Sequence, residues 1–271
     1  MPGQIISICN NKGGVGKTTL SCNLGVALAR RGEGKVLLID LDSQCNATCM
    51  TLPVGAKMRY SLYELLDPES IEKEISIDSC IIPTKNKGFF CLPNVEETSG
   101  LEMDLIGKYP ESVQYLRTRV REHVKKNYAF TIIDCPPNMG IFVVNALYTS
   151  DFVIVPNDIG SLYSLEGLRR ALDLIKTIQA NGNQDLRFLR LLVNKVDRRT
   201  SITHLLLDDI KSRFSDSKVF KTTIPINTAL QQAEYAKMTI FEASPTSRAA
   251  RSFKDLAEEI CSIFAPHTKT E

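Results

Sequence analysis

Short apolar runs alternate along the chain with stretches in which apolar residues recur at helical spacing. Five runs are apolar on both faces, as strands inside a parallel sheet are: 4–10, 35–40, 129–134, 151–156 and 186–195. Because helical stretches separate these runs, the pattern predicts an α/β fold. We expect a three-layer, doubly wound, mostly parallel sheet with helices on both faces.

Helical periodicity marks six further stretches, with less regular segments between them. The predicted helices are 18–32, which Gly32 stops, 61–66, 110–127, 164–182, 201–214 and 246–264. A hairpin or edge strands are expected around Ile81 and Phe89, and a short strand over 219–225. Right-handed crossovers place the loops that follow parallel strands along one edge of the sheet, which is where ligands bind.

The composition is that of an ordinary globular protein. Apolar residues make up 43% and charged residues 24% of the 271 residues, which allows one full core. We expect a single domain over 1–265 and a flexible tail over 266–271. We find no signal-peptide pattern and no run of about 18 apolar residues, so we expect a cytoplasmic protein. With a net charge of +2, nucleic-acid binding would need a local basic patch.

Eight cysteines are scattered along the chain. None forms a C-x-x-C pair, and none lies near one of the three histidines in sequence. This spacing favours reduced thiols that pack as small apolar side chains in a cytosolic protein. The alternative is a metal or iron–sulfur site made between subunits.

A glycine-rich loop follows the first predicted strand and opens the first predicted helix. In that context the sequence GGVGKT predicts a phosphate-binding loop, or P-loop, because its backbone N–H groups and the helix N-terminus cradle phosphate oxygens. Lys17 is expected to reach the β- and γ-phosphates, Thr18 to bind Mg²⁺ and Thr19 to contact the α-phosphate. The predicted nucleotide-binding residues of the loop are Gly13, Gly14, Val15, Gly16, Lys17, Thr18 and Thr19.

Polar residues stand at the ends of other predicted strands. Asp134 ends an apolar strand, as the carboxylate that holds Mg²⁺ in P-loop ATPases does. Asp40 ends the second strand, Asp42 follows it, and Asn194 lies near the end of the fifth. Since the carboxyl ends of parallel strands share one edge, we expect these side chains to gather near the P-loop.

Four segments occur in order along the chain: KGGVGKTT, LLIDLDSQCNAT, TIIDCPPN and LVNKVD. In this order and spacing the chain resembles the ParA/MinD family of SIMIBI-type ATPases, whose deviant P-loop has a lysine, here Lys12, where the usual motif has glycine. The resemblance covers nearly the whole chain. It is nearest to ParA/Soj-type partitioning ATPases without an N-terminal helix-turn-helix, and it implies ATP and Mg²⁺ as ligands and ATP hydrolysis as the reaction.

The resemblance also implies roles for single residues. Lys12 would cross a homodimer interface and touch the phosphates of ATP bound by the other subunit, as an arginine finger does. Asp40 would support the metal site, and Asp42 would position the attacking water. Asn194 and Pro225 would contact adenine. From the residues alone, the lysine could instead be a solvated cap of the loop, and the acids and the asparagine could be turn residues.

Basic residues near the late strands suggest contacts to DNA phosphates. By resemblance, Arg199 in DRRTS matches a DNA-contacting arginine of the family. Three more basic residues open the last predicted helix at one-turn spacing: Arg248, Arg251 and Lys254. A third group forms one stripe of the helix over 110–127: Arg117, Arg121 and Lys125. Each cluster could also be an ordinary solvated face.

The reaction leaves the task open. The first candidate is partitioning of a plasmid or chromosome, in which an ATP-bound dimer binds DNA without sequence preference until a ParB-like partner stimulates hydrolysis. A ParA-like positioner of flagella, chemoreceptors or another protein cargo has the same core chemistry. Two positions depart from the family pattern. Ser43 replaces a proline of the switch loop, and Ala229 stands near the place of a second DNA-contacting arginine, so DNA binding is expected to be weaker or arranged differently.

Other tasks fit the residues less well. MinD-like membrane association needs a C-terminal amphipathic helix with a basic face, whereas Glu258 and Glu259 lie on the polar face here, so no membrane binding is expected. Electron transfer, as in the nitrogenase iron protein, needs cysteines that bridge a cluster between subunits, whereas Cys135 is expected to point into the fold. The P-loop begins about ten residues into the chain, so we expect no preceding helix-turn-helix that binds an operator.

Overall fold

In the computed structural model, the described residues are 3–70, 75–158, 164–197, 205, 208–210, 212 and 214–265. Within them, seven strands form one sheet: β1 (Gln4–Ile8), β2 (Val36–Asp40), β3 (Ile82–Pro83), β4 (Phe89–Leu92), β5 (Phe130–Asp134), β6 (Phe152–Asp158) and β7 (Arg187–Asn194). Their spatial order is β3-β4-β2-β5-β1-β6-β7, and only the β3–β4 pair is antiparallel. The loop after β1 therefore leaves the interior of the sheet, between β5 and β6.

Helices cover both faces of this sheet. In the part of the chain that the structure describes, they are α1 (Lys17–Arg31), α2 (Asn46–Thr51), α3 (Leu62–Leu66), α4 (Leu101–Gly107), α5 (Tyr115–Asn127), α6 (Ile141–Thr149), α7 (Ser164–Asn181), α8 (Thr228–Tyr235), α9 (Ile240–Ala243) and α10 (Arg248–Phe264). Ser61 begins α3 with a capping box to Glu64, and Gly32 ends α1 with a φ of 76°.

Two apolar cores lie on opposite faces of the sheet. On one face, alternate strand residues such as Ile39 and Val155 pack with α3 to α7. On the other face, Leu38 and Ile154 pack with α1, α2 and α8 to α10. Every strand except the two-residue β3 thus contributes side chains to both cores in turn, and the predicted three-layer α/β architecture is confirmed.

Most of the predicted elements are confirmed to within two residues at each end. These are the five buried strands and the helices over 18–32, 61–66, 164–182 and 246–264. The expected hairpin near Ile81 and Phe89 is β3 and β4, which pair antiparallel. The sequence did not predict α2, α4, α6, α8 or α9.

Two predictions need correction. The helix expected over 110–127 begins only at Tyr115, after a 3₁₀ turn at Glu111–Gln114. The strand expected over 219–225 is wrong, because two isolated bridges, Leu191–Val219 and Val196–Pro225, take its place. The helix expected over 201–214 falls largely outside the described residues, and the tail over 266–271 lies wholly outside them.

The basic stripe on α5 is a structural feature. Arg117 donates to the carbonyl of Tyr148 at 2.6 Å, and Arg121 donates to the carbonyl of Thr149. Arg121 and Lys125 also pair with Asp151 at 2.5 and 2.9 Å. The stripe therefore satisfies the last carbonyls of α6 and a buried carboxylate, which gives it a structural role, and its contact with DNA stays a prediction.

The cysteines are all free thiols, and all but Cys49 are buried. Cys135, which directly follows the carboxylate at the end of β5, is buried in the apolar core as expected. Among the described residues, we find no helix whose length and apolar character would let it span a membrane.

Candidate nucleotide-binding site

The loop between β1 and α1 turns sharply at two glycines. Gly14 and Gly16 have φ angles of 74° and 85°, which side chains rarely adopt. Gly16 is constrained further, because a Cβ there would lie 2.6 Å from Nδ2 of Asn194. The turn brings the backbone N–H groups that open α1 to the carboxyl edge of the sheet, where they can bind an anion.

Two lysines lie on this loop in different surroundings. Lys17 is buried, and its Nζ donates to the backbone oxygen of Lys12 at 3.3 Å. Burial lowers the pKa of Lys17, and the nearby carboxylate of Asp134 opposes that shift. Lys12 is partly exposed, and its backbone N–H donates to the Asn10 side chain at 3.0 Å. One lysine is therefore inside the site and the other is at its surface.

Two buried aspartates lie side by side at the ends of neighbouring strands. Asp40 on β2 and Asp134 on β5 are register partners. Asp40 accepts hydrogen bonds from the N–H and the hydroxyl of Thr48 at 2.8 and 2.7 Å, and from the Asp42 N–H at 3.2 Å. Burial nevertheless raises the pKa of Asp40 to about 6. Burial, followed by the charge of Asp40, raises the pKa of Asp134 to about 7.

The two oxygens of Asp134 have unequal surroundings. Oδ1 accepts a 2.7 Å hydrogen bond from Ser21, whereas Oδ2 is buried and has no partner among the described residues. Hydrogen bonding from Thr18 also lowers the pKa of Asp134, which shows that this hydroxyl is close. Mg²⁺ prefers oxygen ligands and keeps water or phosphate oxygens as its others, so Asp134 and Thr18 fit a magnesium site.

Asp42 lies outside the buried pair, at the start of the loop after β2. It is partly exposed, and its Oδ1 accepts from the Gln44 N–H at 3.0 Å. Asp42 thus caps the turn that leads to α2, which is the alternative raised by the sequence. Its charge also acts on Lys17, so the carboxylate lies near the P-loop. A carboxylate has about four acceptor sites, so one turn bond leaves capacity to hold a water.

Comparison with known proteins identifies the family. A family model described as an AAA domain matches residues 3–188. The sporulation initiation inhibitor protein Soj of Bacillus subtilis is 36% identical over 258 residues, which cover 95% of this chain and 98% of that protein. The chain belongs to the ParA/MinD family of P-loop ATPases.

Two further proteins extend this ParA/MinD assignment. The chromosome partitioning protein ParA of Caulobacter vibrioides is 32% identical over 265 residues, which cover 96% of this chain and 95% of that protein. A crystal structure of cobyrinic acid a,c-diamide synthase from Mycobacterium smegmatis, with bound ADP and magnesium, has a TM-score of 0.79 at 26% identity and covers 97% of this chain and 95% of that one. The resemblance seen in the four sequence segments is therefore confirmed.

The two residues that the ParA/MinD resemblance assigned to adenine both lie at the P-loop. Nδ2 of Asn194 donates to the carbonyl of Val15 at 2.7 Å, so this side chain holds the loop in place. Pro225 lines a cleft beside the loop together with Gly16 and Thr19. Contact of Asn194 and Pro225 with adenine stays a prediction.

Three residues at this ParA/MinD-type site were not predicted. Lys195, with a φ of 55°, donates from Nζ to the carbonyl of Gly14 at 2.6 Å. Glu234 on α8 accepts a hydrogen bond from the hydroxyl of Thr19, and Ser21 donates to the β5 carboxylate. Lys195 directly follows the predicted site residue Asn194 in VNKVD, so the sequence held a usable signal that Lys195 lies at the site. The other two contacts join residues 215 and 113 positions apart, for which the sequence holds no local signal.

The predicted DNA-contacting residues fall in two places. Arg199 lies outside the described residues. Arg248 and Arg251 are exposed at the start of α10 and line a depression that also contains Asp197 and Asp255. Lys254 is exposed on the same helix. The two arginines therefore lie beside the chain as it leaves β7 toward Arg199, although two carboxylates share the depression.

The raised pKa of Asp134 predicts how the metal-free protein responds to pH. Protonation of Asp134 stabilises the fold, because the native state binds this proton more tightly than the unfolded chain does. This stabilisation is fully present below about pH 4 and is lost as the pH rises through about 7. Asp134→Asn should therefore be more stable than wild type at pH 8 in chelator, by a few kcal/mol or about 5 °C. The difference should shrink at pH 5, and thermal unfolding at both pH values measures it. Equal melting temperatures of wild type and Asp134→Asn at pH 8 would contradict the raised pKa of Asp134.

Proposed function

We propose that this ParA/MinD-family ATPase forms a homodimer with ATP, binds DNA without sequence preference and partitions a plasmid or chromosome with a ParB-like partner. The observation that carries the proposal is the end-to-end similarity to the chromosome partitioning protein ParA of Caulobacter vibrioides, at 32% identity, together with that to Soj of Bacillus subtilis, at 36%. The cobyrinic acid synthase is less similar, at 26%, so the proposal does not adopt its reaction. The protein would act in the cytoplasm at the nucleoid.

The chemistry follows from the residues at the P-loop. The loop amides and Lys17 bind the phosphates of ATP, while Thr18 and Asp134 would hold Mg²⁺. When bound, Mg²⁺ neutralises charge on the transferring phosphoryl group. Asp40 holds the segment after β2 in place, because it accepts hydrogen bonds from Thr48 and from the N–H of Asp42. Asp42 orients the attacking water for in-line attack on the phosphoryl group.

The two lysines of the loop have separate tasks in this scheme. Lys17 is buried beside Asp134 and serves the nucleotide of its own subunit. Lys12 is partly exposed on the outside of the same loop, so it is the lysine that a second subunit can meet. In the dimer, Lys12 adds a positive charge to the triphosphate of its neighbour, which makes ATP a requirement for assembly.

The proposed DNA surface consists of three basic residues at the start of α10, Arg248, Arg251 and Lys254. Arg199, which lies outside the described residues, is assigned to the surface from the sequence alone. Four neutralised phosphates give a slope of about −3.6 in a plot of log affinity against log salt. Asp197 and Asp255 lie in the same depression and repel the phosphates of DNA, so one subunit should bind DNA with modest affinity. Because a dimer presents the surface twice, DNA binding should depend strongly on dimerisation.

Reversal of one arginine tests the DNA surface. Arg251→Glu and Arg199→Glu should each weaken DNA binding by about 10-fold and reduce the salt slope by about 1 for each phosphate that is no longer neutralised. ATP affinity should stay unchanged, because neither residue belongs to the P-loop. Fluorescence anisotropy of a labelled duplex, measured with ATP over a range of salt concentrations, gives both values.

Lys126→Glu is the matched control for this test. Lys126 is also exposed on a helix, but α5 packs on the opposite face of the sheet from α10. The control should bind DNA like wild type. Undiminished DNA binding by either arginine variant would remove that arginine from the surface.

Size measurements test the assembly itself. In solution, the protein should be a monomer with ADP and a dimer with ATP, and duplex DNA should co-elute only with the dimer. A protein that stays monomeric with ATP under conditions in which it binds the nucleotide would overturn the proposed cycle.

A further inference from the structure

We propose that Ser21 is a positioning residue for the magnesium site, because its hydroxyl orients Asp134 so that Oδ2 is the oxygen offered to the metal. The inference rests on the proposed function only in requiring a magnesium–nucleotide complex at the P-loop. It needs neither DNA nor a dimer.

Ser21 lies one helical turn after Lys17 on α1 and is fully buried. Its Oγ is 2.7 Å from Oδ1 of Asp134 and 3.0 Å from the backbone oxygen of Lys17. The hydroxyl has one proton, and a bond to a charged acceptor is roughly twice as strong as one to a neutral carbonyl. The proton therefore goes to Asp134 when that carboxylate is ionised.

This bond distinguishes two oxygens that are otherwise chemically equivalent. With Oδ1 engaged by Ser21, Oδ2 of Asp134 stays buried and without a partner among the described residues. A buried acceptor without a partner is costly, so the arrangement favours a ligand that supplies a positive charge or a proton. Without the hydroxyl of Ser21, the carboxylate could rotate to lengthen its distance from Asp40, which lies beside it on β2.

A serine inside a helix has an alternative role, which is to donate to the carbonyl four residues earlier. Thr149 does only this, since its hydroxyl donates to the carbonyl of Asn145 at 2.8 Å. Ser21 has the same type of contact to Lys17, but the contact is longer than the one to the carboxylate. The additional, shorter bond is what a positioning role requires.

The test compares Ser21→Ala with wild type through the coupling between metal and nucleotide. The coupling is the factor by which Mn²⁺, used in place of Mg²⁺, tightens ADP binding relative to binding in chelator. Loss of a hydrogen bond that orients a metal ligand costs 10–100-fold in metal affinity, so this factor should fall by about 10-fold or more. ADP affinity in chelator should stay within about twofold, and the electron paramagnetic resonance spectrum of the bound Mn²⁺ should change.

Two further variants separate positioning from packing. Thr149→Val removes an equally buried helical hydroxyl far from the site and should leave the coupling unchanged. Ser21→Thr keeps the hydroxyl and should stay close to wild type. Alanine has a higher helix propensity than serine, so Ser21→Ala should keep its fold, which thermal unfolding in chelator verifies.

The outcomes distinguish this inference from the proposed function. Unchanged coupling in Ser21→Ala overturns the inference and leaves the proposed function standing. An equal fall in Thr149→Val also overturns it, because the effect would then come from general packing. If wild type itself shows no coupling between Mn²⁺ and ADP, both the inference and the proposed nucleotide chemistry fail.

Discussion

Replacing Lys17 with alanine should abolish ATP binding. The ammonium group is buried inside the P-loop, 3.3 Å from the Lys12 carbonyl and beside Asp134, so the phosphates of ATP would lose their nearest internal cation. Removal of one partner of a buried charge pair costs 2–5 kcal/mol or more, and about 4 kcal/mol corresponds to about a 1,000-fold loss of affinity. Titration with a fluorescent ATP analogue in the presence of Mg²⁺ measures the change.

Lys12→Ala is the control for this loss, because it removes a lysine from the same loop. Lys12 is partly exposed and is proposed to act on the partner's nucleotide, so its alanine variant should bind ATP with near-normal affinity as a monomer. It should then fail to dimerise. Near-normal ATP affinity in Lys17→Ala would show that the buried lysine does not serve the phosphates, and the proposed site would be wrong.

Replacing Asp42 with alanine should stop hydrolysis while ATP stays bound. The residue lies outside the buried carboxylate pair, so its loss leaves Asp40, Asp134 and the P-loop intact. Misplacement of a reacting group by about 1 Å can cost about 100-fold in rate, and we expect at least that loss of turnover. ATP affinity should change by less than about threefold, and the ATP-bound dimer should persist. Phosphate release and size-exclusion chromatography measure the two effects.

The turn that Asp42 caps requires its own control. Asp67 makes the same type of bond at the end of α3, where its Oδ1 accepts from the N–H of Glu69 at 3.0 Å. Asp67→Ala removes this cap and should leave hydrolysis unchanged. If Asp42→Ala hydrolyses ATP at the normal rate, the water-positioning role is wrong and the residue is a turn cap only.

The fold could be predicted where the pattern of apolar residues is strong. The five buried strands are short runs without polar interruptions, because both faces of the sheet are covered. The long helices α7 and α10 each have an apolar stripe, and α1 has a clear end at Gly32. In these segments, local sequence and tertiary packing favour the same structure.

In the helices that the sequence did not predict, the local sequence pattern gives no clear signal for the structure that tertiary packing stabilises. In α6, eight of nine residues are buried, so the helix is apolar almost all round and has no stripe to detect. Others, such as α2 and α9, are six and four residues long, and helices of that length depend on their tertiary contacts. The strand expected over 219–225 has suitable residues, but only single bridges tie this segment to the end of β7.

The candidate site likewise contains residues that the sequence predicts and residues that it does not. Its P-loop, Asp40 and Asp134 stand at strand ends, so topology alone brings them to one edge. Ser21 and Glu234 could not be predicted, because each reaches the site through a contact between distant parts of the chain. The structural role of the α5 stripe was not predicted for the same reason, since its partners on α6 and at Asp151, just before β6, are invisible in the local pattern.

The neighbouring aspartates at the ends of β2 and β5 have a practical consequence for anyone who handles this protein. Because the two buried carboxyl groups lie side by side, the nucleotide-free protein should be less stable than the nucleotide-bound protein. The difference should be largest in alkaline buffers that contain a chelator. Purification and storage with magnesium and ADP should lengthen its shelf life. A sample kept without them should be the first to precipitate on warming.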